Sequence, residues 1–252
     1  MSGREQPGHW PYPRWVAHRG AGKMAPENTL AAFRLGASHG YRMYECDAKL
    51  SADGVVFLLH DATLERTTNG SGVAGERPWG ELSQLDAGGW HSRAFAGEPL
   101  ATLEAVARHC QAQGHWLNIE IKPTPGTELA TGRAVAGAAA RLWASDAPRT
   151  PFLTSFQPDA LQGARETAPH LPRGLLLDTL REGWRDMAQS LGCVAVVCNH
   201  ALWDTSTVAQ ARESGLHTLA YTVNDEWAAQ RLLDLGLDGI ITDRIDLFAP
   251  GR

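Results

Sequence analysis

Residues 217–242 read "HTLAYTVNDEWAAQRLLDLGLDGIIT". A short β-branched and aliphatic run (217–222) passes into a longer stretch with helical spacing (225–235), which returns as a second apolar run (239–242). Strand, helix and strand in so short a span make a βαβ unit, the building block of parallel sheets. The same alternation recurs towards the N-terminus. Strand-like runs lie at 15–18, 43–50, 116–121, 151–155, 173–177 and 194–198, giving eight in all, with helix-like stretches at 27–39, 102–113, 127–145, 158–168, 182–191 and 205–214. In a chain of 252 residues this predicts a (β/α)8 TIM barrel, a single domain spanning 1–252. A doubly wound open sheet has the same alternation, which by itself does not show closure.

One unit breaks the rhythm. After "MYECDAKL" (43–50) come the turn "SADG", a returning strand "VVFLLH", and then a long stretch rich in Gly, Thr, Ser and Trp before the next helix. That is too long for an ordinary βα connection. It predicts a small insertion subdomain at about 61–101, on the loop face after the second strand and without an apolar core of its own.

Composition narrows the function classes. Hydrophobic residues make up 43% and charged residues 20%, values of an ordinary soluble domain. A formal net charge of −5 offers no long-range attraction to nucleic acid or an anionic membrane. No stretch is apolar enough for a signal-peptide core or a bilayer span, so a cytoplasmic protein without stable membrane association is expected. Cys46, Cys110, Cys193 and Cys198 form no Cys-x-x-Cys pair and read as buried thiols.

In a parallel barrel the chemistry sits at the C-terminal ends of the strands. The first strand ends in His18 and Arg19, the second carries Glu45 and Asp47, its hairpin return ends in His60 and Asp61, and the third carries Glu120 and Lys122. Side chains alternate along a strand, so Glu45 and Asp47 share one face, as do Glu120 and Lys122. Three carboxylates converging inside a barrel repel one another unless a cation joins them, and a hard divalent ion such as Mg²⁺ or Ca²⁺ suits oxygen ligands. Two imidazoles can act as general base and general acid at neutral pH, while Arg19 and Lys122 can hold the anionic oxygens of a phosphate. Metal, two histidines and two cations make a phosphodiester-cleaving site. Gly20 and Gly22 are expected to let the loop backbone pass close to that phosphate.

The motifs that carry these residues resemble a known family. "HRGAGKMAPENT" (18–29), "ECDAKLSADGVVFLLHD" (45–61), "LERTTNGSG" (64–72), "ELSQLDAGGW" (81–90), "NIEIK" (118–122), "YTVN" (221–224) and "DGIITD" (238–243) occur in the order seen in glycerophosphodiester phosphodiesterases, from residue 15 to about 247. The resemblance implies a TIM barrel with an insertion after the second strand. It implies Glu45, Asp47 and Glu120 as ligands of one divalent cation, Mg²⁺ or Ca²⁺, His18 and His60 as the acid/base pair, and Arg19 and Lys122 as phosphate-binding residues. Glu27 and Asn28 match its Pro-Glu-Asn-Thr motif, either as helix-capping residues or in the site. Tyr221 stands where the family often has tryptophan and is expected to line the substrate. "PLATLEA" (99–105) varies a commoner Ile-Pro-Thr-Leu pattern.

The implied reaction is hydrolysis of small glycerophosphodiesters, such as glycerophosphocholine or glycerophosphoethanolamine, to an alcohol and sn-glycerol 3-phosphate. His18 is assigned the base role and His60 the acid role, with the reverse left open, as are water or the glycerol 2-hydroxyl as nucleophile. A lysophospholipase D-type or cyclic-phosphate-forming reaction on the same barrel is the alternative within the class. An inactive barrel that only binds is the alternative outside it. A homo-oligomer is allowed.

Overall fold

The structure, a computed structural model, describes residues 8–145 and 147–250. Residues 1–7 and 251–252 of the span expected to form one domain lie outside the described residues. The strands are β1 (Trp15–Ala17), β2 (Met43–Leu50), β3 (Val56–Leu58), β4 (Trp116–Ile121), β5 (Phe152–Ser155), β6 (Arg173–Leu177), β7 (Ala195–Asn199), β8 (His217–Tyr221) and β9 (Gly239–Thr242). Between them run α1 (Leu30–Ser38), α2 (Trp79–Leu82), α3 (Leu103–Gln113), α4 (Glu128–Leu142), α5 (Pro158–Thr167), α6 (Trp184–Ser190), α7 (Thr205–Glu213) and α8 (Glu226–Asp234).

All neighbouring strands pair in parallel except β3, which folds back antiparallel on β2 with Lys49 opposite Phe57. Closure is direct. Ala17 of β1 pairs with Tyr44 of β2 on one side and with Thr242 of β9 on the other. The expected eight-stranded barrel is therefore present, and the open sheet is excluded.

Period-two alternation divides each strand between barrel interior and helical shell. Val16, Met43, Phe152, Leu176, Val197, Leu219 and Ile241 fill the lower interior, and Trp10 and Tyr12 pack against them. Trp10 meets Phe152 edge-on, with centroids 5.5 Å apart. Nearer the C-terminal ends of the strands the buried positions turn polar, with Glu45, Asp47, Asn118, Glu120 and Thr154. The intervening Tyr44, Cys46, Ala48, Leu117, Ile119 and Ile121 join the apolar layer beneath the helices. A one-residue slip of β2 would exchange the two sets, and its register (Glu45 with Asn118, Asp47 with Glu120) holds the acids inside.

Local chemistry sets where helices begin. The helix expected from 27 starts at Leu30 because Thr29 caps it, its hydroxyl accepting from the Ala32 amide, while Asn28 adopts a left-handed φ of 61°. The insertion between β3 and α3 holds a small buried cluster of Leu64, Ala74, Leu82, Ala87 and Leu100 against Phe57 and Leu59. This corrects the expectation that it has no apolar core, since the β3 hairpin supplies one wall. The Glu98 side chain fastens the insertion to the barrel by accepting the Ala31 amide at the start of α1.

All four cysteines are free and buried. Burial pushes the Cys110, Cys193 and Cys198 thiols up to about 12, which makes them poor nucleophiles. No described helix is long and apolar enough to cross a membrane.

Candidate active site

The alternation of β2 sends Glu45 and Asp47 into the barrel, and β4, hydrogen-bonded alongside, sends Glu120 to the same level. One carboxylate oxygen of each lies within 4.8 Å of the others, and all three residues are buried. Glu45 Oε1 and Asp47 Oδ1 accept no hydrogen bond. Glu120 Oε1 lies 2.8 Å from Lys122 Nζ, an ion pair without hydrogen-bond alignment. Burial, then the charge of Asp47, pushes the Glu45 and Glu120 carboxyls up, against the pull of Arg19 on the first and Lys122 on the second. Asp47 goes the other way: burial acts to raise it, but Arg19, His60, Lys122 and the Asn28 amide together hold it low. Buried carboxylate oxygens without hydrogen-bond partners are costly in a protein interior, and a hard divalent cation satisfies such a set.

The β1–α1 loop wraps this cluster. Arg19 has φ 50°, a left-handed backbone uncommon outside glycine, and that bend delivers its amide to Glu45 Oε2 at 3.0 Å. Its side chain places Nε 3.2 Å from Asp47 Oδ2 and Nη1 2.8 Å from Glu27 Oε1. Asn28, also left-handed, exchanges two hydrogen bonds with Asp47: its Nδ2 donates to Oδ2 at 2.8 Å and its Oδ1 accepts the Asp47 amide at 3.0 Å. Glu27 and Asn28 thus face the site, and the capping role belongs to Thr29.

The two glycines of this loop are packed against its neighbours. A Cβ on Gly22 would lie 2.1 Å from the Asp243 carbonyl oxygen, and one on Gly20 would lie 2.9 Å from the Ala32 Cβ. They let the loop close onto the β9 end and onto α1, a need that arises within the protein itself.

Each histidine is held at Nδ1 by a carboxylate. His18 Nδ1 lies 2.7 Å from Asp243 Oδ1, and Asn224 completes Asp243 by donating to Oδ2 at 2.9 Å and accepting its amide at 2.9 Å. His60 Nδ1 lies 2.7 Å from Asp61 Oδ1. With the proton on Nδ1, each ring keeps Nε2 for chemistry. His18 Nε2 is 3.7 Å from Glu45 Oε2. Burial lowers the His60 pKa, and Arg19 and Lys122 add to this against Asp47 and Asp61.

Burial acts to raise the Asp243 carboxyl, but the hydrogen bond and charge of His18 outweigh it and bring it down to about 2. A carboxyl lower in the folded than in the unfolded chain adds stability above its unfolded pKa, which fades as the pH falls towards the folded value. The difference in melting temperature between wild type and Asp243→Asn is therefore expected to shrink as the pH drops from about 5 to about 2. A difference independent of pH in that window would remove this assignment.

A cavity of about 210 Å³ is lined by Lys49, His60, Glu120, Lys122 and Phe156. Lys122 Nζ lies over the Phe156 ring, 5.4 Å from its centroid, and Phe156 meets Tyr221 edge-on at 5.6 Å. Tyr221 is half-buried, and its hydroxyl donates to the Leu177 carbonyl at 3.0 Å. The structure therefore brings His18, His60, Glu45, Asp47, Glu120, Arg19, Lys122, Glu27 and Asn28 around one cluster, with Tyr221 in the wall beyond Phe156.

Several contributors were missed in the sequence. Lys49 follows Glu45 and Asp47 on the same face, and its Nζ donates to the Lys122 carbonyl at 3.0 Å, with burial pulling its ammonium down to about 8. Asp243 sits just past the end of the last strand, where the strand-end rule that found the other acids applies equally. Asn224 and Phe156 likewise follow strand ends.

The sequence model of the glycerophosphoryl diester phosphodiesterase family matches residues 18–247, nearly the whole of this arrangement. The chain belongs to that family. A glycerophosphodiester phosphodiesterase of Caldanaerobacter subterraneus is 32% identical over 233 residues, covering 90% of this chain and 93% of its own. Among solved structures, a phosphodiesterase of Oleispira antarctica in complex with the product sn-glycerol-3-phosphate superposes with a TM-score of 0.85 at 32% identity, over 92% of this chain and 93% of that one. A glycerophosphodiester phosphodiesterase of Agrobacterium tumefaciens gives 0.80 at 31% identity, over 94% and 99%. The phosphodiesterase is thus an enzyme of the phosphoric diester hydrolase class, which sets aside the reading of an inactive binding barrel.

Proposed function

We propose that the phosphodiesterase hydrolyses glycerophosphodiesters such as glycerophosphocholine or glycerophosphoethanolamine to sn-glycerol 3-phosphate and an alcohol, with one Mg²⁺ or Ca²⁺ held by Glu45, Asp47 and Glu120. The observation that carries this reading is the pairing of two histidines, each anchored at Nδ1 by its own aspartate, with a buried triad of acids, each of which has one oxygen that accepts no hydrogen bond. Bound there, a divalent ion supplies charge that stabilises the phosphorane-like transition state and acidifies the attacking hydroxyl. His18 takes the proton of the nucleophile at Nε2, and Asp243 stabilises the imidazolium that forms. His60, entering the step as the imidazolium, gives its Nε2 proton to the leaving alkoxide, with Asp61 accepting from its Nδ1 as support. Arg19 and Lys122 each share their charge between an acid of the triad and the non-bridging oxygens of the phosphate.

The test separates a diesterase from a generic metal barrel. Arg19→Gln and Lys122→Met are expected to damage turnover and to weaken product inhibition by glycerol 3-phosphate, while divalent-ion affinity stays the same or tightens, since a positive neighbour has been removed. Wild-type turnover and product inhibition in both variants would reduce these residues to neutralisers of the acids.

A second reading has its own support. Phe156 also borders a cavity of about 420 Å³ lined by Leu175, Leu177, Trp184 and Met187. This recess shares Phe156 with the active cavity, and although Asp178, Arg181 and Glu182 also line it, its apolar side suits a substrate that still bears an acyl chain, as in a lysophospholipase D-type reaction. Assaying lysophosphatidylcholine beside glycerophosphocholine decides between the two.

A further inference from the structure

Arg66 opens the insertion, in "LERTTNGSG", and its guanidinium is forked between two carboxylates. Nε and Nη2 donate to Asp61 Oδ2 at 2.6 Å and Oδ1 at 3.0 Å. Nη1 and Nη2 donate to Glu27 Oε2 and Oε1, both at 2.8 Å. Each carboxylate is at the same time the outer partner of a group facing the site. Asp61 Oδ1 also meets His60 Nδ1, and Glu27 Oε1 also accepts from Arg19 Nη1.

We infer that Arg66 is a positioning residue, which fixes His60 on the hairpin side of the barrel mouth relative to Arg19 on the β1 side by clamping Asp61 and Glu27 at once. The residue touches none of the three acids and does not line the active cavity. Its effect on the reaction must therefore pass through those two carboxylates. Only a planar fork can satisfy both bidentately, and an ammonium cannot replace it. Without it Asp61 and Glu27 present two like charges across the mouth with no common counter-ion, and they separate, taking the His60 ring and the Arg19 side chain with them. The hydrogen bond from Arg66 holds the Asp61 carboxyl well below its ordinary range, in keeping with the two contacts they share. The Arg66 side chain is 44% exposed, so its ion pairs are screened and add little to stability. Its value lies in geometry, where a displacement of about 1 Å costs on the order of 10² in rate.

The inference rests on His60 taking part in the reaction, and a double-mutant cycle keeps the two ideas apart. Turnover of glycerophosphocholine is measured for wild type, Arg66→Gln, Arg66→Lys, His60→Ala and the double variant Arg66→Gln/His60→Ala. Arg66→Gln is expected to lower kcat about 10- to 100-fold with metal affinity unchanged, and Arg66→Lys to recover only part of the loss. In the His60→Ala background the same substitution is expected to cost clearly less, about three- to tenfold, because one of the two groups it positions is gone and only Arg19 remains to be displaced. An equal factor in both backgrounds, or no loss in the wild-type background, overturns the inference. If Arg66→Gln does not fold, Arg66→Lys is carried through the same cycle. Full activity of His60→Ala would defeat the role given to His60, a different failure seen in a different variant.

Discussion

Removing any one of the three acids, by Glu45→Ala, Asp47→Ala or Glu120→Ala, is expected to cut turnover by a factor of about 10² or more and to weaken divalent-ion affinity. Each change deletes a ligand and also one of the charges that the cluster presents. The remaining two carboxyls repel each other less in the empty site, so the fold is expected to hold while the ion binds poorly. Titration calorimetry with Mg²⁺ and with Ca²⁺, beside an assay coupling glycerol 3-phosphate release to NADH formation, reads both effects. Chelator-treated enzyme with full activity would falsify the assignment, as would a Glu45→Ala protein that titrates metal like wild type.

The histidines are expected to give the other large effect. His18→Ala and His60→Ala should each lower turnover by roughly 10²–10⁴ with metal binding nearly intact, the usual range for a general acid or base. The two are told apart by the leaving group. A glycerophosphodiester of p-nitrophenol departs without protonation, so it is expected to rescue the variant that lacks the acid, His60→Ala, and not His18→Ala. Rescue of His18→Ala instead would reverse the two roles. Burial lowers the His60 pKa and so works against the protonated form an acid needs, and the negative charge of the bound phosphate has to offset it.

Much of this site was legible because it obeys a rule of period two. Once the run 43–50 is recognised as a strand, Glu45 and Asp47 must share a face, and the barrel puts that face inside. The same rule extended by one step reaches Lys49, which lies on the interior face at the upper end of β2. Closure was not legible, because it depends on pairing between β1 and β9, whose sequences carry no mark of each other. The contacts of Asp243 with His18 and of Arg66 with Glu27 are of the same kind: long-range, side chain to side chain, and fixed by the loops' paths. The motif at 26–29 shows the limit well. Its spacing fits a helix cap, yet only Thr29 caps, while Glu27 and the left-handed Asn28 face the site.

The bond between His18 and Asp243 joins positions 225 apart in the chain. During synthesis at about 5–20 residues per second, the histidine therefore emerges roughly 10–45 s before the aspartate that orients it. In that interval β1 has no β9 beside it, His18 has no Asp243 to fix its proton, and the Gly22 loop has nothing to close upon. The three acids, by contrast, lie on β2 and β4, which pair directly and are both complete by residue 121. The His18–Asp243 pair is complete only with the last strand beside the first.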